Sequence, residues 1–325
     1  MSHSVSRRVA TARTVAATGV ALALLALSAT PAAGAPPPPT PYTGEAAELT
    51  TSSVTLKGSV FPGNQQTSYY FQYGTSTAYG GQTPLTPAGA GTGTIHVAAS
   101  LTGLTVDSSY HYRLVAVNAA GATDGQDRIF TTKKIPLTFT LAATPSRDPF
   151  ASPFSVTGTL AGTDSADHAI VLQANPFPYL GGFKDVGNPE LTDADGSFAF
   201  EEPGFTQNTQ LRVATLGTPQ VDSDVVVELV AVRVTLHLRA TARHGYARLY
   251  GTITPAERGA LVSLQLLRSG HGPLVVGSAL AGGDSGGSSH FSHVVRIRHA
   301  GLYRAYAYVL SGAQVSSHSR AILIG

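Results

Sequence analysis

The stretch Leu101–Asn118, LTGLTVDSSYHYRLVAVN, decides the fold class of this chain. Its second half alternates between two faces of a strand, and one face carries a row of apolar and aromatic side chains: Tyr110, Tyr112, Leu114 and Ala116. A Tyr that opens such a strand can bury its ring and return its hydroxyl to the backbone of the preceding loop, as the tyrosine corner of β-sandwiches does. Leu104 lies six residues ahead of Tyr110, in that loop. The stretch therefore predicts an antiparallel β-sandwich.

The first 45 residues have the composition of an export signal followed by a spacer. Arginines come first, then the uncharged run Val15–Leu27, then small residues through Ala35, which is the layout of a signal peptide. We predict a signal peptide over 1–35 and a stiff Pro-rich linker over 36–45. No later apolar stretch is long enough to span a membrane, so no span is expected after signal removal. The mature protein is expected to be secreted, extracellular or associated with the cell surface.

The absence of cysteine from all 325 residues narrows the chemistry. Thiol catalysis and cysteine-ligated zinc are excluded, and an exported chain without disulfides must be stabilised by buried cores. The length that remains after the predicted signal suits about three sandwiches of roughly 100 residues each.

The first of these is predicted over 46–133. Its aromatic third strand and its corner are formed by Tyr69, Phe71, Tyr73, Leu104 and Tyr110. With these motifs in order, the segment resembles a fibronectin type III domain of the kind found in secreted bacterial proteins. The resemblance implies a structural role for the five residues. Gly58 stands where that family places a core Trp, and the chain has no Trp at all.

Two further segments, 134–230 and 231–325, look like copies of one unit. The triplets Gly158-Thr159-Leu160, Val171-Leu172-Gln173 and Leu211-Arg212-Val213 recur as Gly251-Thr252-Ile253, Ser263-Leu264-Gln265 and Tyr303-Arg304-Ala305. A period of about 95 residues indicates tandem domains rather than a solenoid. Both segments resemble bacterial extracellular immunoglobulin-like modules, which implies a sandwich and no particular activity. The predicted fold is all-β, with three tandem antiparallel sandwiches.

The net charge of +2 includes two segments of opposite charge that nearly cancel. From Ile135 to Val230 there are 3 Lys and Arg against 12 Asp and Glu, a net of −9, and from Ala231 to Gly325 there are 10 against 2, a net of +8. At short range these opposite fields are expected to favour docking of the second sandwich on the third, and the attraction should fade as salt shortens the Debye length.

The basic segment supplies the candidate binding residues: Arg239, Arg243, Arg296, Arg298 and Arg304. Arg296 and Arg298 are predicted to project from one face of a strand, so they could grip a linear anion bidentately. Tyr70 and Tyr79 are predicted as exposed aromatics that could stack on sugar rings, although strands are generally rich in Tyr.

Two motifs imitate reactive sites. Gly283-Asp284-Ser285-Gly286-Gly287 spells a serine-hydrolase nucleophile loop, but no Asp lies between Asp224 and Asp284 to complete a His, Asp, Ser order. The stretch from Leu191 to Glu202 imitates part of a calcium loop, yet Leu191 occupies its first ligand position, and its Asp-Gly pair predicts a hairpin turn. We predict no enzyme activity, no cofactor and no metal site.

The sequence thus favours a non-enzymatic secreted or cell-surface protein that acts as an interaction module or spacer. One alternative is a polyanion or carbohydrate binder of the cell envelope, acting through the basic third sandwich. A second alternative is a hydrolase that uses Ser285. The expected partners are a cell-envelope polymer or another surface protein, and no nucleic acid.

Overall fold

The computed structural model describes residues 37–141 and 147–325, and all regular structure in these ranges is β-strand. The strands form six sheets, and three clusters of buried apolar side chains each lie between two of them. The predicted all-β architecture of antiparallel sandwiches in tandem is confirmed. The predicted signal peptide, 1–35, lies outside the described residues. None of the described residues forms a helix long and apolar enough to cross a membrane.

The first sandwich contains nine strands: β1 (Thr40–Thr43), β2 (Ser53–Phe61), β3 (Thr67–Gly74), β4 (Gly81–Gln82), β5 (Thr86–Gly89), β6 (Ile95–Thr102), β7 (Ser109–Asn118), β8 (Gly121–Asp124) and β9 (Arg128–Thr131). One sheet has the order β1-β2-β6, and the other has β4-β3-β7-β8, with β5 also paired to β3 and β9 to β7. The inward face of β7 is the predicted one, since Tyr112 and Leu114 are completely buried.

The second sandwich contains eight strands: β10 (Thr138–Leu141), β11 (Arg147–Pro149), β12 (Phe154–Ala161), β13 (Ala169–Pro176), β14 (Lys184–Leu191), β15 (Ser197–Glu202), β16 (Thr209–Thr215) and β17 (Val226–Ala231). Its sheets have the orders β10-β12-β15 and β11-β17-β16-β13-β14. The short pairing of β11 with β17 is parallel.

The third sandwich contains ten strands: β18 (Arg233–Val234), β19 (His237–Ala240), β20 (Tyr246–Thr254), β21 (Leu261–Arg268), β22 (His271–Leu280), β23 (Gly282–Ser285), β24 (Ser288–Arg296), β25 (Gly301–Tyr308), β26 (Ser317–His318) and β27 (Ile322–Ile324). One sheet has the order β18-β20-β24-β23, with β19 beside β20. The other has β22-β21-β25-β26, with β27 beside β25.

The Pro-rich segment 36–45 differs from the predicted linker, because its second half joins the first sandwich as β1. The buried Thr43 hydroxyl accepts a hydrogen bond from the Leu114 N–H at 3.0 Å, and the Gly44 carbonyl accepts one from the Tyr112 hydroxyl at 2.8 Å. Pro is tolerated in an edge strand, where its missing N–H does not interrupt the ladder. The segment is therefore part of the fold from Thr40 onward.

The tyrosine corner is present at the start of β7. Tyr110 is buried, and its ring stacks on Phe130 with 5.4 Å between the ring centroids. Its hydroxyl oxygen accepts a hydrogen bond from the Thr105 N–H at 3.0 Å, next to the buried Leu104. The loop and the strand are therefore held together by one side chain.

Removing this hydroxyl with Tyr110→Phe is expected to destabilise the first sandwich by about 1 kcal/mol, because the Thr105 N–H loses its partner in a partly buried position. Urea unfolding of the intact protein, followed by the fluorescence of its Tyr residues, would measure the change. Tyr42→Phe, at a 56% exposed Tyr of the same sandwich, is the matched control and should leave stability unchanged. Equal effects of the two variants would show that the hydroxyl contributes nothing specific.

The second and third sandwiches are joined by hydrogen bonds from Asn208. Its backbone N–H donates to the Ala313 carbonyl at 2.6 Å, and its side-chain Nδ2 donates to the Gly312 carbonyl at 2.9 Å. Its Oδ1 accepts from the Val230 N–H at 2.8 Å. Since Asn208 is only 5% exposed, one buried amide connects the loop after β25 to two parts of the second sandwich.

A short parallel bridge extends this junction. Val315 donates its N–H to the Val230 carbonyl at 2.8 Å and accepts at its own carbonyl from the Val232 N–H at 3.2 Å. These contacts are neutral, and the Arg233 guanidinium at the same junction donates to the Ser152 hydroxyl at 3.3 Å and not to a carboxylate. This differs from the expectation that opposite net charges hold the two sandwiches together. The salt bridges seen between described side chains, such as Arg212 with Asp222, lie outside the junction.

Candidate anion-binding site

A turn at one end of the third sandwich places two of the predicted arginines beside each other. β20 begins at Tyr246, which lies opposite Arg296 at the end of β24. The Tyr246 N–H donates to the Arg243 carbonyl at 3.1 Å, and the Gly245 carbonyl accepts from the Ile297 N–H at 2.9 Å. The Arg243 guanidinium lies over the Tyr246 ring, 4.1 Å from its centroid, in a cation–π contact. The turn is thus tied to the end of β24.

Arg243, Arg296 and Arg298 line one open cavity of about 580 Å³, and these three arginines are called the basic pole here. β24 ends at Arg296, so Arg298 lies in the following loop and not on the strand as predicted. Its side chain still reaches the same cavity, because the alternation of exposed and buried side chains continues past the strand end.

The chemistry of the basic pole is that of an anion site. His244 adds a further polar side chain to the cavity wall. The third sandwich contains only two acidic residues, Glu257 and Asp284, and neither lines the cavity. Three guanidinium groups without a neighbouring carboxylate create a positive field that attracts anions, and each presents donors in a fork that matches carboxylate and phosphate oxygens.

The structure separates the other two predicted arginines from the basic pole. Arg239 lies on β19 and lines a different groove of about 330 Å³ with Arg248, Tyr250 and His290. Arg304 lies on β25, in the other sheet of the sandwich. Sequence spacing could not reveal this, because strand pairing rather than distance along the chain decides which arginines meet.

The hydrolase alternative requires partners for Ser285. This residue is exposed at the end of β23 and lies opposite Ser288 across a tight hairpin. Among the described residues, its hydroxyl makes no hydrogen bond to a His, so the arrangement of a nucleophile with its base is not assembled.

The acidic loop that imitates a calcium site is a hairpin turn. The Gly196 N–H donates to the Asp193 carbonyl at 2.8 Å, and Asp195 Oδ1 accepts from the Ser197 N–H at 2.9 Å. Gly196 has a φ of +81°, which suits glycine. Within residues 37–141 and 147–325, no three His, Asp or Glu side chains are grouped so as to hold a metal ion.

Sequence reasoning missed a polar cluster on the first sandwich. Tyr79, predicted as an exposed aromatic, is buried, and its hydroxyl donates to Asp127 Oδ1 at 2.7 Å. Burial and then this hydrogen bond raise the pKa of Tyr79 to about 12. Burial alone would raise the pKa of Asp127, but hydrogen bonds from His111 and Tyr79 outweigh it and lower that pKa. The cluster fastens the loop after β3 to β7, and no local pattern in the sequence indicates it.

The comparisons with known proteins concern the fold. No known family model matches the chain, and no curated protein matches it. The chain is similar to a crystal structure of the chicken CNTN1 FN1-FN3 domains, with a TM-score of 0.25 and 12% identity over 89% of this chain and 99% of that one.

Two further solved structures are similar at comparable levels. One is a tetra-tandem repeat in the extending region of a large adhesion protein, with a TM-score of 0.32 and 17% identity over 88% of this chain and 74% of that one. The other is an ICAM-5 D1-D4 ectodomain fragment, with a TM-score of 0.43 and 13% identity over 88% of this chain and 77% of that one. At these scores the likeness carries no inference about function.

Proposed function

We propose that this protein is a non-enzymatic interaction module and spacer that works outside the cell or on its surface. The observation that supports the spacer role is the junction between the second and third sandwiches, where the buried amide of Asn208 bonds to both sides. Such a junction holds the two sandwiches in one orientation and keeps the end of the third at a set distance from the second. The export-type N-terminus supports the extracellular setting.

A second candidate function is favoured by the basic pole. We propose that Arg243, Arg296 and Arg298 bind an anionic polymer of the cell envelope. Three guanidinium groups around one cavity provide adjacent sites for successive anionic groups of a linear chain. The spacer would then present this end of the third sandwich to the polymer.

The triple variant Arg243→Gln, Arg296→Gln, Arg298→Gln is expected to lose at least about tenfold in affinity for immobilised linear polyphosphate or polygalacturonate, which corresponds to about 1.4 kcal/mol. Binding of the wild type should weaken steeply as salt rises, because exposed charges are screened. Surface plasmon resonance at several salt concentrations would measure both effects.

The matched control removes the same charge elsewhere in the third sandwich, through Arg258→Gln, Arg268→Gln and Arg320→Gln. It should lower affinity only slightly, through the net charge. Equal losses in both triple variants would mean that net charge and not the basic pole attracts the polymer. Retention of the basic-pole variant on the envelope of the producing cell, at wild-type level, would reject the polymer-binding function and leave the spacer role standing.

A further inference from the structure

The same cross-strand pair occurs in all three sandwiches. On neighbouring central strands, an Arg donates its Nε–H to the Oε1 of a Gln: Arg113 to Gln72 at 2.7 Å, Arg212 to Gln173 at 2.8 Å and Arg304 to Gln265 at 2.9 Å. In each case the bond occupies Nε and fixes the plane of the guanidinium. The terminal Nη groups remain to bind something else.

In the first two sandwiches, the Nη groups are occupied by a carboxylate of the same sandwich. Arg113 Nη1 lies 2.6 Å from Asp124 Oδ2, and Arg212 Nη1 lies 2.6 Å from Asp222 Oδ2. The two aspartates hold the same register position, since each lies opposite the residue two places after its Arg. An aromatic ring also lies under each guanidinium, at 4.8 Å in the first sandwich and 4.4 Å in the second.

In the third sandwich, the position of that aspartate is taken by His318. The residue two places after Arg304 is Tyr306, and it lies opposite His318. Gln173 also donates to Asp185 in the second sandwich, whereas Gln265 lies opposite Val275. Among the described residues, neither a carboxylate within 4 Å nor an aromatic ring accompanies the Arg304 guanidinium.

Arg304 is therefore a half-buried cation, and Gln265 orients its guanidinium in the way that the two carboxylate-binding arginines of the other sandwiches are oriented. Because Gln265 already orients the guanidinium, an incoming carboxylate would bind without the usual cost of ordering a long side chain. The internal copies identify the ligand chemistry, since both supply a carboxylate.

The surface around Arg304 suits a protein ligand better than a polysaccharide. On the same outer face, a row of apolar side chains crosses three strands, with Leu280 opposite Leu261 and Leu261 opposite Tyr308. Their side chains are 69%, 45% and 44% exposed, respectively. Apolar and aromatic side chains of this kind bury area against a protein partner, while a lone oriented Arg fixes its register.

We propose that the outer face of the β22-β21-β25-β26 sheet binds an acidic segment of a protein partner, with one Asp or Glu carboxylate seated on the Nη groups of Arg304. Arg304 does not line the cavity of the basic pole, although Arg296 and Arg298 also line a second cavity with Val275 of this sheet. The proposed site lies on the other sheet from Arg239. It extends the proposed interaction role by naming a second surface and the class of its ligand.

The test introduces an acidic side chain at position 318, where the other two sandwiches have an Asp. In His318→Asp, the new carboxylate lies where Asp124 and Asp222 lie, so it should pair with Arg304 and block the site from within. The probe is a fluorescein-labelled peptide in which Asp alternates with Val, and binding to the intact protein is followed by fluorescence anisotropy. We expect His318→Asp and Arg304→Gln each to weaken binding by about tenfold or more.

The controls separate this site from general charge effects. His237→Asp adds the same charge to the other sheet and should change affinity less than about twofold. A peptide with Asn in place of each Asp should not bind. Thermal unfolding of His318→Asp, at or above the wild-type midpoint, would show that the fold is intact.

Several results would overturn the proposal. One is that the wild type does not bind the Asp peptide at millimolar concentration, and another is that it binds the Asn peptide equally well. A third is that His318→Asp and His237→Asp have equal effects on affinity, and a fourth is that the basic-pole variant loses binding. Each of these four results would contradict the proposed site. Competition by polygalacturonate as effective as that by the peptide, at equal carboxylate concentration, would also reject a protein ligand in favour of a uronate polymer.

Discussion

Replacing Asn208 by Ala is expected to destabilise the joined second and third sandwiches by about 2 kcal/mol and to loosen the junction between them. The substitution leaves the buried Val230 N–H without a hydrogen bond, and it removes the bond to the carbonyl of Gly312, an exposed residue whose carbonyl water can reach. An unsatisfied buried group costs about 1–3 kcal/mol. Urea unfolding of the intact protein would give the loss of stability, and small-angle scattering would show an increase in the radius of gyration.

The matched control is Asn118→Ala in the first sandwich. The Asn118 amide also makes two hydrogen bonds, to the Pro37 carbonyl and from the Ala120 N–H, but both bonds are exposed to solvent. Water can replace both bonds, so the loss should stay below about 1 kcal/mol. If both Asn variants behaved alike, the junction would not depend on the buried amide.

The same measurement distinguishes neutral contacts from charge attraction. Raising salt from about 0.1 M to about 1 M shortens the Debye length from about 10 Å to about 3 Å, which screens fields between exposed charges but leaves buried neutral hydrogen bonds intact. The wild-type radius of gyration should therefore stay constant. Expansion of the wild type at high salt would show that the −9 and +8 segments, and not Asn208, hold the sandwiches together.

Much of the fold follows from local pattern. The strict alternation in 109–118 predicts one buried face, and Tyr110, Tyr112 and Leu114 are indeed buried. Alternation is a property of neighbouring residues, so a sequence read without relatives reveals it directly. The repeat of the second and third segments is equally visible, because both copies keep the residue types of their central strands.

The candidate sites depended on information that local pattern does not carry. Arg296 and Arg304 are close in the sequence, yet they lie in different sheets of the third sandwich. The Gln–Arg pairs join residues that are 39 or 41 positions apart. Only strand register reveals that His318 occupies the position held by Asp222 in the preceding sandwich. Which side chains meet at the candidate sites is therefore decided mainly by the register of strands that lie far apart in the sequence.

The triplets Gly158-Thr159-Leu160 and Gly251-Thr252-Ile253 both begin with glycine for a packing reason that the sequence alone does not reveal. An ideal Cβ on Gly58 or Gly158 would lie 2.8 or 2.5 Å, respectively, from a backbone carbonyl oxygen of the neighbouring strand, and one on Gly251 would collide with the Thr235 carbonyl oxygen. Each glycine faces inward between large buried side chains, where the adjacent strand or loop approaches closely. In the first sandwich, this approach and the Leu114 side chain occupy the space beside Gly58, where a fibronectin type III domain places a Trp.

Gly251→Ala is therefore expected to destabilise the third sandwich by about 3 kcal/mol or more, at the upper end of the cost of overpacking a core. The Thr235 carbonyl would have to move, although Thr235 also donates its N–H to the Thr252 carbonyl at 3.0 Å. Gly282→Ala is the control in the same sandwich, because a Cβ there meets no atom within 4 Å, and it should change stability by less than about 0.5 kcal/mol. Urea unfolding of both variants would measure the difference. Similar stability of the two would mean that the close approach at Gly251 can relax without cost.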